Sequence, residues 1–358
     1  MKFIHMADMH FDAPFTVLNT RSNLGEKRRL EQREALKNVI QYIKENEVEY
    51  LFISGDLYEN EYIRITTIEY INHLFTEIPN TKIYITPGNH DPYLMNSMYK
   101  NFKWNENVKI FENKVEIVEN EEVDIYGFGF NDFYCKNSEI EKIEIKNKNK
   151  INILITHGTL EGGNITNFEY NPLNKKKLEE IGFDYIALGH IHKLDYQTEE
   201  NQRIVYPGST IAMGFDELGQ HGVILGEVSK EKIHLEFLPI DHKEFKEIEM
   251  EVTDINSEEE LIEKINEISI ETNTFYKIIL KGKRNFEINI YHLYPFILNE
   301  NIIKIKDCTE MNIDLEKLSC EINLRGIFLN QILTDIKEGK IDQKRAEKMI
   351  EIGLDILK

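Results

Sequence analysis

Five short stretches of this sequence run from apolar residues into groups that can bind a metal or move a proton. Residues 2–7 lead into Asp8-Met9-His10, and Tyr50 to Ile53 lead through Ser54-Gly55 into Asp56. Lys82 to Thr86 lead into Pro87-Gly88-Asn89-His90-Asp91, and Ile151 to Ile155 into Thr156-His157-Gly158. Tyr185 to Leu188 lead into Gly189-His190-Ile191-His192, so five of the eleven histidines fall in this set. A single histidine at a strand end is ordinarily a core or surface residue, and His5, inside the first run, reads as a core histidine. The joint pattern points elsewhere. Alternate residues of an extended segment share a face, so Asp-x-His and His-x-His each bring two side chains to one ion. A carboxylate offers about four lone-pair sites, which lets Asp56 bridge two cations; the alternative is a cap on the next helix. Imidazole and carboxylate without thiolate suit a borderline or hard divalent ion such as manganese, iron or zinc.

Such groups need strands that end side by side, and the sequence supplies them. Tyr50 to Ile53 is a run suited to a strand buried on both faces. Glu26 to Asn46 has helical spacing, with Leu36, Val39, Ile40 and Ile43 on one side, and residues 11–25 before it read as a loop. Arg64 to Ile78 predicts a second helix with Ile65, Ile68, Ile71, Leu74 and Phe75 as its stripe, and Lys175 to Ile181 a short one. Val115 to Phe130 alternates like antiparallel strands, and strands are expected over 203–206, 223–228 and 232–238. The fold class expected is α/β: two packed mixed β-sheets flanked by helices over residues 1–240. A small α/β domain is expected over 241–309, with strands at 245–252, 275–280 and 302–305 and helices from Ser257 and over 288–298. Residues 310–358 are expected to be a helical C-terminal segment, with two helices from Glu316 onward separated at Gly339, the second carrying Ala346, Met349, Ile350, Gly353, Leu354 and Leu357 as a stripe. That stripe fits a core contact and a partner contact equally well.

Composition excludes several classes. The chain has 358 residues, 41% of them hydrophobic, enough for a substantial core, and no apolar run long enough to span a bilayer. Met1 leads straight into a strand, unlike a signal or transit peptide. Cys135, Cys308 and Cys320 are far apart and form no metal-binding pair, which points to a reducing, cytoplasmic setting. The formal net charge is −20, and residues 241–271 hold twelve acids against three lysines. That segment is not a phosphate-binding platform, so a nucleic-acid substrate would need bound cations or a partner to supply positive charge.

Taken in order, Asp-x-His, Gly-Asp-x-x, Gly-Asn-His-Asp, His-Gly and Gly-His-x-His resemble the calcineurin-like metallophosphoesterases across nearly all of residues 1–240. Gly189-His190-Ile191-His192-Lys193 and Tyr206-Pro207-Gly208-Ser209 are most similar to the SbcD-type nucleases of double-strand-break repair complexes. The resemblance implies a first metal held by Asp8, His10 and His192, and a second held by Asn89, His157 and His190, with Asp56 bridging. It implies that His90 is an uncoordinated general acid oriented by Asp91, and that the ions are two Mn²⁺. It further implies DNA ends or hairpins as substrate, a capping domain over 241–309, and an SbcC-type, SMC-like coiled-coil ATPase docked on 310–358. A homodimer is compatible with it, and no membrane is involved. Two ions roughly 4 Å apart suit phosphodiester hydrolysis, because they clamp phosphate oxygens and acidify a water. Glu59 stands where some relatives have a histidine that assists at the phosphate, and an ionised carboxylate cannot donate there. The competing readings are a small-molecule or protein phosphatase on the same scaffold and a metal-binding assembly subunit.

Overall fold

The computed structural model describes residues 1–358 apart from 16, 17, 19–23, 161–169, 197–201, 313, 314 and 358. Part of the loop expected over 11–25 therefore lies outside the described residues. The chain groups into two compact units, one of residues 1–247 with 270–277, the other of 248–269 with 278–358.

In the first unit the elements run β1 (Lys2–Met6), α1 (Leu24–Glu45), β2 (Tyr50–Ser54), α2 (Ile65–Thr76), β3 (Lys82–Thr86), α3 (Met98–Asn101) and β4 (Val108–Ile110). There follow β5 (Glu116–Glu119), β6 (Val123–Phe128), β7 (Ile151–His157), the two-residue β8 (Thr159–Leu160) and β9 (Pro172–Leu173), and α4 (Lys175–Ile181). The run ends with β10 (Tyr185–Gly189), β11 (Ile204–Val205), β12 (Gly222–Val228) and β13 (Ile233–Pro239). They build a six-stranded sheet ordered β13-β12-β1-β2-β3-β4 and a five-stranded sheet ordered β11-β10-β7-β6-β5. Both are mixed, as expected from the sequence: β1 to β4 run parallel while β12 pairs antiparallel to β1, and β6, β7, β10 and β11 run parallel while β5 is antiparallel.

The period of two along each strand decides what packs where. Phe3, Phe52 and Tyr84 of one sheet meet Ile153, Ile155, Tyr185 and Ala187 of the other in a single buried cluster. Their sequence neighbours Leu154, Ile186 and Leu188 face the opposite way and pack with Leu178 of α4. Each such side chain contributes roughly 1.5–3 kcal/mol on burial, so a one-residue slip in any central strand would exchange the two faces. Helix α1 buries Leu36, Val39, Ile40 and Ile43, the stripe expected. In α2 the stripe begins later than its spacing suggested. Ile65, the first helical residue, is exposed, and buried Thr67 takes the place, donating to Asp12 at 2.8 Å and accepting from Arg33 at 2.9 Å.

In the second unit and at its margins, β14 (Glu244–Glu251), β15 (Thr274–Lys281) and β17 (Ile302–Asp307) form a three-stranded sheet, and β16 (Lys283–Arg284) pairs with β18 (Glu310–Met311). Ser257 caps α5 (Glu258–Asn266) by accepting from the Glu260 N–H. The helix expected over 288–298 is reduced to α6 (Ile290–Leu293) and a 3-10 turn at Tyr294–Phe296. Pro295 supplies no N–H and holds φ near its ring value, which stops the α-helical ladder there. Past 310 the helices are α7 (Leu315–Ser319), α8 (Leu324–Lys337) and α9 (Gln343–Ile356), three where the spacing suggested two. The break comes at Asn323, whose side chain accepts from Gly326 N–H and starts α8 afresh. Gly339 does separate α8 from α9, at φ +71°. Of the α9 stripe, Ala346 and Ile350 pack on Leu329 and Ile332 of α8, with Leu354 partly buried against them. No helix among the described residues is long and apolar enough to cross a membrane.

Candidate metal centre

Register places the site. Met6 lies opposite Ile53 and Ser54 opposite Thr86, so β1, β2 and β3 end level with one another. On the other sheet Gly189 lies opposite His157, which levels β7 and β10. Just past these ends the backbone turns through the left-handed region at Asp8 (φ 51°), His10 (50°), Asp56 (52°) and His190 (102°). Such positions cost of order 1–3 kcal/mol each and persist only where surroundings enforce them. Here they do. Asp8 N–H donates to the Gly55 carbonyl at 3.1 Å and His10 N–H to the Asp56 carbonyl at 2.9 Å. Gln32 of α1, buried, donates to the Met9 and His10 carbonyls at 2.8 and 2.9 Å. Gly55, at φ +90°, leaves room for a histidine: a Cβ there would stand 2.2 Å from His157 Nδ1.

All the ligand-type residues expected from the sequence come together. Three sets of ligand atoms each lie within 4.8 Å of one another: Asp8, His10 and His192; Asp8, Asp56 and His157; and His10, Asp56 and His90. Asn89 Oδ1 lies 3.0 Å from His157 Nε2 and 3.1 Å from His190 Nδ1. Asp56 Oδ2 lies 3.3 Å from His157 Nε2 and 3.9 Å from His10 Nε2, between the two groups. The outer nitrogens are occupied. His10 Nδ1 donates to Glu59 Oε1 at 2.8 Å, His157 Nδ1 to the Ser54 carbonyl at 2.9 Å, and His192 Nδ1 to Glu217 Oε1 at 2.6 Å. That fixes three rings with Nε2 turned inward and available as a ligand. Nitrogen and carboxylate donors aimed at common points, with no thiolate, fit divalent ions.

The electrostatics follow from burial and from these pairings. Burial opposes a charge on His192 and His157, but Glu217 on one and Asp56 on the other outweigh it and raise both to about 9. Burial, with the neighbouring His157, holds His190 down at about 3. Burial also works against ionised Asp56, yet His157, His10 and His90 around it keep its carboxyl well below the usual range. For Asp8 burial prevails and its pKa is raised in spite of His192 and His157. A metal must displace the protons on His157 and His192, so binding is coupled to proton release.

His90 is the most open member, its side chain 44% exposed, standing edge-on to His10 with ring centroids 4.8 Å apart. The partner expected for it, Asp91, is engaged elsewhere. Asp91 is fully buried and accepts from the N–H groups of Asp56 (3.1 Å), Leu57 (2.6 Å) and Gly88 (2.6 Å) and from the Tyr99 hydroxyl (2.5 Å). Burial, with the charge of Asp56, pushes its pKa up. Its place beside the ring is taken by Glu59, whose Oε2 accepts from His90 Nδ1 at 3.0 Å. One carboxylate thus clasps His10 and His90 together. Burial lowers the His90 pKa, but Glu59 and Asp56 override it and bring it to about 9.

Sequence reasoning missed the supporting shell. Glu59 stood out only as a departure from relatives, and Glu217 carried no signal at all. Glu217 lies in a loop, where it also accepts from Ser209 Oγ at 2.6 Å and Met213 N–H at 3.0 Å. His5, expected in the core, is fully buried, 2.8 Å from the Tyr185 hydroxyl and 3.1 Å from Ser54 Oγ.

Residues 1–194 match the family model described as calcineurin-like phosphoesterase. The chain is 26% identical to the uncharacterized metallophosphoesterase YhaO of Bacillus subtilis, over 79% of this chain and 69% of that protein. It is 24% identical to the SbcD component of the nuclease SbcCD of Staphylococcus epidermidis, over 99% of both chains. To the SbcD component of the same nuclease in Staphylococcus saprophyticus it is 26% identical, over 96% of this chain and 97% of that one.

Proposed function

This chain belongs to the calcineurin-like phosphoesterase family, metal-dependent phosphoester hydrolases, and from that premise we propose that it is a manganese-dependent DNA nuclease trimming ends or opening hairpins. The observation that carries the reading is the convergence of Asp8, His10, Asp56, Asn89, His157, His190 and His192 from five strand ends around shared points, with His90 at the exposed rim and hydrogen-bonded to Glu59. Likeness over 99% of the chain to a nuclease component supports a phosphodiester in DNA as the substrate.

Asp8, His10 and His192 would hold one ion and Asn89, His157 and His190 the other, with Asp56 between. When bound, the ions supply Lewis acidity to phosphate oxygens and lower the pKa of a water. The chain's own part is orientation and proton delivery. Glu59 fixes His90 through Nδ1, which leaves Nε2 to donate to the departing sugar oxygen, a transfer worth roughly 10²–10⁴-fold. Asp91 acts by tying the turn after β2 to the turn after β3, so it positions Asp56 and Asn89 and is no part of the proton path.

The partner proposed is an SMC-like coiled-coil ATPase, docked on residues 310–358. Exposed Ile322, Leu324 and Ile327 around the start of α8, with Ile352 and Ile356 on α9, offer it apolar surface. A cytoplasmic location agrees with three free cysteines. The test offers the manganese-loaded chain linear DNA, a phosphodiester dye and a phosphomonoester dye. Cutting of DNA and the diester is the expected result. Preference for the monoester with DNA untouched would make it a phosphatase. Metal binding without turnover of any of the three, even with the ATPase present, would leave a metal-binding assembly subunit.

A further inference from the structure

Beside the metal centre stands a ladder of rings that the chemistry above does not use. Tyr170 packs on the ligand-type His190, with centroids 4.9 Å apart and planes tilted by 36°. Tyr134 stacks on Tyr170 at 5.9 Å and 30°. The other stacked pairs among the described residues, Tyr50–Tyr84 and Tyr84–Phe111, belong to the core between the sheets. This one opens outward: Tyr134 is 53% exposed and its neighbour Phe133 38%. Its backbone is fixed to the site. Tyr170 bridges to Cys135, Thr159 N–H donates to the Tyr170 carbonyl at 3.1 Å, and the Asn171 amide donates to the His157 carbonyl at 2.8 Å.

We propose that Tyr134 and Tyr170 form a stacking platform for an unpaired nucleobase next to the phosphate being cleaved. The inference rests on the nuclease reading above and adds what that reading lacks, a way for an acidic chain to hold a nucleic acid. Contacts to phosphates need clustered cations, which a net charge of −20 does not favour. Stacking needs only a π-face, works for every base, and is available beside the ions. Inside a duplex both faces of a base are covered by its neighbours, so the platform selects frayed, looped or single-stranded nucleotides over paired ones.

The test uses the full metal-loaded chain with a single-stranded oligonucleotide and a matched oligonucleotide whose nucleotides are abasic beside the scissile phosphate. Tyr134→Ala should raise KM about tenfold, with the smaller effect on kcat. Tyr134→Phe and Tyr134→Trp should restore it. The abasic substrate should show the same loss with the unaltered chain and no further loss with Tyr134→Ala. In Tyr134→Trp, oligonucleotide binding should quench the new indole, read against the single native Trp104. If Tyr134→Ala binds and cuts as the unaltered chain does, or the indole is not quenched while cutting proceeds, the platform is refuted and the nuclease reading stands. If the unaltered chain hydrolyses a phosphomonoester dye but neither binds nor cuts any oligonucleotide, both fall together.

Discussion

The metal centre and the C-terminal helices solve opposite problems. At the centre, Asp8, His10, Asp56 and His157 are charged or polar and almost wholly buried. Each is held by partners on at least one other element, because an unpaired buried charge would be prohibitively costly. The helices from Leu315 on are joined mainly by a small apolar cluster, and Ile322, Leu324 and Ile356 lie largely in solvent at 103%, 72% and 77% exposure. A site that must hold ions is over-determined by its surroundings, whereas the helical segment leaves apolar surface that the described residues do not cover.

The contrast can be broken or sharpened by experiment. The largest effect is expected for Asp56→Ala, which should lose bound metal, measured by elemental analysis, and with it the metal-dependent turnover as a whole. His90→Ala should keep its metal content and lose about 10²–10⁴-fold in kcat; full activity would remove the proposed acid. A third prediction concerns pH. Burial lowers His5 to about 3 from 6.5, so the folded chain keeps it neutral while the unfolded chain takes a proton. Stability from this group is therefore complete above about 6.5 and is lost as pH falls toward 3, by about 1.36 kcal/mol per unit. Urea unfolding from pH 7 to 4 should show a shallower slope in His5→Asn. Glu217→Ala should weaken metal binding about 10–100-fold by freeing the His192 ring, with titration calorimetry as the check. The smallest effect on the fold is expected at the other region. Ile352→Ser with Ile356→Ser should shift unfolding by only about 0.5 kcal/mol while reducing co-purification with a coiled-coil ATPase. Unchanged co-purification would leave that surface without the proposed role.

The strands and their carboxyl-edge residues were legible because short, largely apolar stretches ending in Asp-x-His, Gly-Asp, Gly-Asn-His, His-Gly or Gly-His-x-His carry both period and punctuation locally. The helix expected over 288–298 is cut short because Pro295 ends the α-helical ladder that the apolar spacing alone would continue. The C-terminus has three helices rather than two because Asn323 caps a new helix start between α7 and α8. The family resemblance pairs Asp91 with His90, yet residues that follow one another in a tight turn project in different directions, and Asp91 turns inward to backbone N–H groups and the Tyr99 hydroxyl.

By itself the sequence determined which residue types stand at the strand ends, and with them a site for divalent ions. Hydrophobic period and short turn signals act over a few residues and need no knowledge of the rest of the chain. Only the tertiary structure decided that Glu59 clasps His10 and His90, that Glu217 aims His192, and that Tyr134 and Tyr170 rise beside His190. Those pairings join groups up to tens of residues apart, and their geometry comes from strand register and loop packing, which no local pattern encodes.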